Sequence, residues 1–158
     1  MIVRAATEGD IAATAVVATA SYAAAFADIL GPEILAGYDQ AFFAARFAAC
    51  LARLRVAEFD GAIAGFSLVT EGHLDMLFIA PACQGRGVGQ ELLSDAEARG
   101  TVSLESFRDN HRARRFYEQF GWRLAAEYAR EFAGAIGHFV RYEKPYGGKA
   151  LAFPALRL

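Results

Sequence analysis

Residues 77–93 read LFIAPACQGRGVGQELL, an apolar run that breaks into a loop with glycine at 85, 87 and 89 and resumes with Val88, Leu92 and Leu93 at helical spacing. Glycine at that density lets the backbone take positive φ and come close to a ligand. The loop opens onto a helix N-terminus. Unpaired N–H groups and the positive end of the helix dipole favour an anion there by about 0.3 to 1 kcal/mol, or about 2 when partly buried. The order of apolar strand, glycine loop and helix therefore points to a phosphate.

Three phosphate-binding patterns compete for the loop, and spacing separates them. A P-loop closes with Gly-Lys-Ser/Thr, and Val88-Gly89-Gln90 supplies neither the lysine nor the hydroxyl. A dinucleotide fingerprint needs its third glycine one position beyond Gly89, in a tight turn directly after the strand. Its other requirement, an acid about 20 residues on, is met by Glu105. A nicotinamide-dinucleotide-binding protein with Glu105 on a ribose is thus one alternative. The third pattern, Q/R-x-x-G-x-G, is met by Gln84, Gly87 and Gly89.

A second stretch, SLESFRDNHRARRFYEQFGW at residues 103–122, lies one helix and one strand further on. With Asn110, Phe116, Tyr117 and Gly121 in register, the two stretches together resemble the paired signatures of the GCN5-related N-acetyltransferase (GNAT) family. The order of strands and helices agrees from Ile2 to about Lys144. The resemblance implies an α/β fold: a mixed, mostly antiparallel central sheet of about seven strands, flanked by helices and splayed to form a cleft for CoA. It also implies that acetyl-CoA is the cosubstrate, that no metal takes part, and that the acetyl group passes directly to an amine of a small molecule or peptide. A CoA-binding domain that keeps the fold without turnover is the non-enzymatic alternative.

Residue by residue, the resemblance implies that the pantetheine arm lies along HLDMLFI as an added strand, bonding the backbone near Phe78 and Ile79. The N–H groups of Gln84, Gly85, Arg86, Gly87, Val88 and Gly89 would take the pyrophosphate. Arg86 would add charge, and Asn110 would join the CoA site. Tyr117 matches the tyrosine that protonates the departing thiolate, a suitable neutral acid at pH 7.

The amine must also lose a proton, which for a lysine-like group at pH 7 costs about 4 to 5 kcal/mol and for an α-amine only about 1 kcal/mol. Two residues qualify as the base. Glu105 falls twelve residues before Tyr117, where ribosomal-protein alanine N-acetyltransferases carry theirs, and this register favours it. His73 falls where histone-type members place a catalytic glutamate, and its ordinary pKa is the more suitable. His111 and His138 read as surface or structural residues, and Cys83 as an inert thiol despite the helix N-terminus beside it.

Around these signatures the chain reads as one domain over residues 1–144 with a C-terminal tail, 145–158, that has no period and contains two prolines. It either drapes over the body or stays loose. Among 158 residues, 55% are hydrophobic and 22% charged, which places the chain with folded globular proteins. A net charge of -2 gives no electrostatic reason to expect nucleic acid. Cys50 and Cys83 are too few and too far apart for a zinc site or a disulfide framework. The N-terminus lacks a signal-peptide pattern and no uninterrupted apolar window of about 18 residues occurs, so a cytoplasmic protein without a membrane span is expected. A homodimer is common in the family, yet no stripe in the sequence specifies one.

Local signals mark the elements. IVRAA reads as a strand, and Thr7 with Asp10 as a capping box. A helix follows until Gly31-Pro32. A second spans about Asp39 to Leu51, with Phe42, Phe43, Phe47 and Leu51 on one face as core or pocket wall. Residues 54–80 hold three strands, the first two joined by Asp60-Gly61. TVSLES follows by a crossover and so lies parallel to LDMLFI. Asp109 or Asn110 caps the next helix and Gly121 ends it. A final antiparallel pair closes the domain. The acceptor is expected between LGPEILAGYDQAFF and that last hairpin, where Glu33 and Asp39 hint at a cation.

Overall fold

The computed structural model describes residues 1–144, so the expectation for the tail lies outside the described residues. The strands are β1 (Ile2–Ala5), β2 (Leu54–Phe59), β3 (Ala62–Thr70), β4 (His73–Ile79), β5 (Ser103–Phe107), β6 (Arg123–Phe132) and β7 (Ala135–Glu143). The helices are α1 (Ile11–Phe26), α2 (Pro32–Ala36), α3 (Gln40–Ala49), α4 (Val88–Ala98) and α5 (His111–Gln119). One seven-stranded sheet runs in the order β1-β2-β3-β4-β5-β7-β6. Every neighbouring pair is antiparallel except β4 and β5, which are parallel as the crossover through α4 requires.

Turn chemistry sets the hairpins. Asp60-Gly61, Glu71-Gly72 and Ala133-Gly134 each carry positive φ at both residues, between 48° and 82°, which matches the twist of the flanking strands. Asp10 accepts from the Thr7 N–H at 2.8 Å and so closes the expected box ahead of α1. Helix α1 stops at Phe26, four residues before the expected end. There Ile29 and Leu30 both donate to the Phe26 carbonyl, tightening the last turn and carrying Leu30 into the core. The run Glu8–Phe26 is, by length and composition, apolar enough to cross a membrane, which the sequence reading did not find. One side of it is core here, with Ala15, Ala18, Tyr22 and Phe26 buried.

Two hydrophobic layers clamp the sheet. On one face α1 and α3 lay Phe26, Phe43 and Phe47 against Phe66, Phe107 and Phe139. On the other, α4 and α5 close over Leu74, Leu104, Trp122 and Tyr142. Gly65 of β3 permits close approach there: a Cβ would lie 2.8 Å from the Phe78 carbonyl oxygen and 3.0 Å from Leu92 of α4.

The sheet opens between β4 and β5. These strands pair only through His73 with Ser103 and Leu74 with Leu104. On its other edge β4 stays with β3, but Leu68 opposes Met76 while Val69 opposes Leu74, leaving Asp75 as a bulge. A bulged strand bends locally. Beyond the bulge the β5-side edge of Met76–Ile79 has no ladder partner among the described residues, and a cleft forms there.

Candidate active site

Two cavities fill this cleft. One, of about 630 Å³, lies beside the glycine loop. The other, of about 480 Å³, lies toward α3 and the β6–β7 hairpin. Their linings share Leu77, Phe78, Asn110, Ala113 and Tyr117, so the two spaces meet at Tyr117.

The loop cavity collects most of the residues expected to bind phosphate. Gln84, Gly85, Gly87, Val88 and Gly89 line it, with Phe78 and Ile79 along the strand edge. Gly87, at φ 81°, caps α4 from the left-handed region. The first helical bond runs from the Glu91 N–H to the Gly87 carbonyl at 3.1 Å, so the N–H groups of Val88, Gly89 and Gln90 have no helical acceptor. Gly89 has a different reason for its missing side chain. A Cβ there would meet Phe116 at 3.2 Å and Ile79 at 3.3 Å, so this glycine seats α4 against its neighbours. Arg86 is not in the lining; its guanidinium sits over the Phe59 ring, 5.8 Å from the centroid.

At the junction, Tyr117 is buried among Leu93, Leu104, Trp122 and Tyr142, and burial pushes its phenol well above the ordinary tyrosine value. Among the described residues its hydroxyl takes no hydrogen bond. A neutral O–H donor with no protein partner is therefore held at the seam of the two cavities. Asn110 caps α5, its Oδ1 accepting from the Ala113 N–H at 3.3 Å, and faces the same seam.

The second cavity holds both base candidates. His73 Nδ1 lies 2.8 Å from Ser103 Oγ. Burial lowers its pKa below 6.5, with Asp75 and Glu105 opposing the shift, so the imidazole is neutral at pH 7. Glu105 is held by two neighbours from β6: the Arg130 guanidinium grips both carboxylate oxygens, Nε at 3.1 Å, and the Tyr128 hydroxyl donates to one of them. Arg130 is itself fixed over the Phe139 ring, 4.0 Å from the centroid. Glu105 lines this cavity and not the one at the glycine loop, which removes the geometry a ribose contact would need. Among the described residues no group of three His, Cys, Asp or Glu side chains could hold a metal.

Several lining residues escaped the sequence. Ser21, Ala24 and Ala25 of α1 border the loop cavity, so alanine there leaves room for a ligand beside β4; only the pairing of α1 with the β4 edge reveals it. Arg112, in the first turn of α5, brings a cation to the same cavity, and its place next to the Asn110 cap was the available signal. On the acceptor side the sequence pointed to Glu33 and Asp39, but neither lines the cavity. Asp39 caps α3 by accepting from the Phe42 N–H at 2.8 Å. Tyr38, Phe42 and Arg46 face the space instead.

A family model described as an acetyltransferase (GNAT) domain matches residues 33–144. No curated protein matches the chain significantly. Among solved structures, a GCN5-related N-acetyltransferase from Rhodopseudomonas palustris is 27% identical, with a TM-score of 0.69 over 90% of this chain and 95% of that one. The PaiA N-acetyltransferase of Thermoplasma acidophilum, solved in complex with coenzyme A, is 15% identical, with a TM-score of 0.72 over 90% and 98%. YncA of Salmonella typhimurium, solved with acetyl-CoA, is 19% identical, with a TM-score of 0.62 over 95% and 96%.

Proposed function

The chain belongs to the acetyltransferase (GNAT) domain family, and from that premise we propose that it transfers the acetyl group of acetyl-CoA directly to an amine. The observation that carries this reading is the position of Tyr117 where the two cavities join. A protein that only held CoA would have no use for a second cavity meeting the first at an unengaged phenol.

In this reading the pyrophosphate lies on the free N–H groups at the start of α4, with Arg112 nearby. The pantetheine arm bonds the open edge of β4 at Phe78 and Ile79, as an extended peptide would. The thioester then reaches Tyr117. An amine in the second cavity attacks the carbonyl carbon, the C–S bond breaks, and the Tyr117 hydroxyl gives its proton to the departing sulfur. We assign the amine's proton to neutral His73, whose Nε2 is free to accept when Nδ1–H donates to Ser103. Glu105, with both oxygens engaged, offsets the imidazolium charge that forms.

Thermal melting with acetyl-CoA, CoA and NAD tests the binding half. A melting temperature that rises with acetyl-CoA, as about 2.7 kcal/mol of stabilisation at 100 times the dissociation constant requires, and does not move with NAD supports it. Release of CoA thiol in the presence of an amine panel tests the transfer half. Binding of acetyl-CoA with no thiol release from any amine would return the chain to the role of a CoA-binding domain.

A further inference from the structure

We propose that the acceptor is a small aromatic molecule whose amine stands next to a carboxylate, as in a free aromatic α-amino acid, and that Arg46 selects it. The proposal rests on the transferase reading above and names its substrate class.

Size comes first. A cavity of about 480 Å³ lies in the range of small-molecule sites, roughly 300 to 1,000 Å³. Its wall is aromatic. Tyr38 stacks on Tyr22 with centroids 4.7 Å apart and lies nearly parallel to Phe132 at 6.3 Å, while Phe42 meets Tyr38 edge-on at 4.9 Å. Phe42 is 40% exposed, one of few large apolar side chains left open to solvent, and it opens onto this cavity. Ring faces and edges presented together favour an aromatic body that can add to the stack.

Charge supplies the second constraint. Around the cavity Glu105 is matched by Arg130, Asp75 accepts from the Thr70 hydroxyl, and His73 is neutral. Arg46, on the turn of α3 after Phe42, faces the same space, and among the described residues no carboxylate pairs with it. A guanidinium presents a planar fork of donors that matches a carboxylate in two parallel bonds. Beside an aromatic wall it recognises a molecule with an aromatic end and an anionic end.

The test measures thiol release by the purified full chain with acetyl-CoA and four acceptors: L-phenylalanine, L-phenylalaninamide, phenethylamine and spermidine. We expect kcat/KM for phenylalanine to exceed that for each of the others by at least about tenfold, the worth of one charge-assisted contact. In Arg46→Ala the advantage over phenylalaninamide should shrink to within about threefold, through a higher KM for phenylalanine, and Arg46→Lys should recover part of it. A melting curve checks that each variant is folded. Thiol release that favours phenylalaninamide, phenethylamine or spermidine in the wild type overturns the proposal and leaves the transferase standing. So does a preference that survives Arg46→Ala. Failure to release thiol with any amine overturns both.

Discussion

Tyr117 packs beneath Leu104, whereas Glu105, the next residue along β5, points to the opposite face of the sheet into the grip of Arg130. Acid and carboxylate thus belong to different layers of the protein and reach a common space only because β4 and β5 part after two residue pairs.

Tyr117→Phe keeps the ring among Leu93, Leu104 and Trp122 and removes its hydroxyl from the seam. Turnover should fall by roughly 10² or more, the range for a lost general acid, with acetyl-CoA affinity little changed. Turnover within a few-fold of wild type would make the phenol a packing residue.

Gly87 and Gly89 should fail in different ways when given side chains. Gly87→Ala forces a Cβ into the left-handed region at φ 81° with open space around it, so strain of about 1 to 2 kcal/mol and loss of acetyl-CoA binding are expected. Gly89→Val drives two methyl groups toward Phe116 and Ile79, and a lowered melting temperature should accompany its loss of binding. Paired titration and melting of the two variants reads the distinction.

The two base candidates separate by pH. With its pKa lowered by burial, His73 is neutral at pH 7 and charges only below 6.5. Activity should be full near neutrality and fall as pH drops through that lowered value, and the acid limb should vanish in His73→Gln while kcat falls by roughly 10². Stability moves the same way. The unfolded chain takes up this proton first, so the folded state loses stability as pH falls below about 6.5. Should Glu105→Gln be the variant that loses both rate and limb, the carboxylate is the base after all.

These contrasts show what the sequence could carry. Local signals were legible: the Asp60-Gly61 turn, the box of Thr7 and Asp10, the Asn110 cap and the glycine loop all depend on residues a few positions apart. The register of Glu105 with Tyr117 was local too, and it favoured Glu105 as the base. Its pairing with Arg130 was not legible, because the partner lies 25 residues on and reaches it only when β7 lies between β5 and β6. Arg46 was missed for a similar reason, since α3 meets the last hairpin only in three dimensions.

Gly65→Ala gives a remote test of the β4 edge. The added Cβ would press on the Phe78 carbonyl at 2.8 Å, a contact with backbone that cannot rotate away. Overpacking of this kind costs about 1 to 3 kcal/mol. Because Phe78 is also where the pantetheine arm should bond, acetyl-CoA should bind more weakly to this variant although Gly65 touches neither cavity. Wild-type affinity in a folded Gly65→Ala protein would place the arm elsewhere.

The parting of β4 from β5 also decides how the two halves of the sheet are joined. Below the two paired residues the connection is made by rings: Phe26 of α1 meets Phe107 of β5 at 5.0 Å and Phe78 of β4 at 5.9 Å, both edge-on. Hydrogen bonds between strands weaken steeply when their angle or length changes, whereas apolar contact is non-directional. The joint therefore gives in width more readily than a hydrogen-bonded ladder would. It can yield to the girth of whatever lies in it while the rest of the sheet keeps its register.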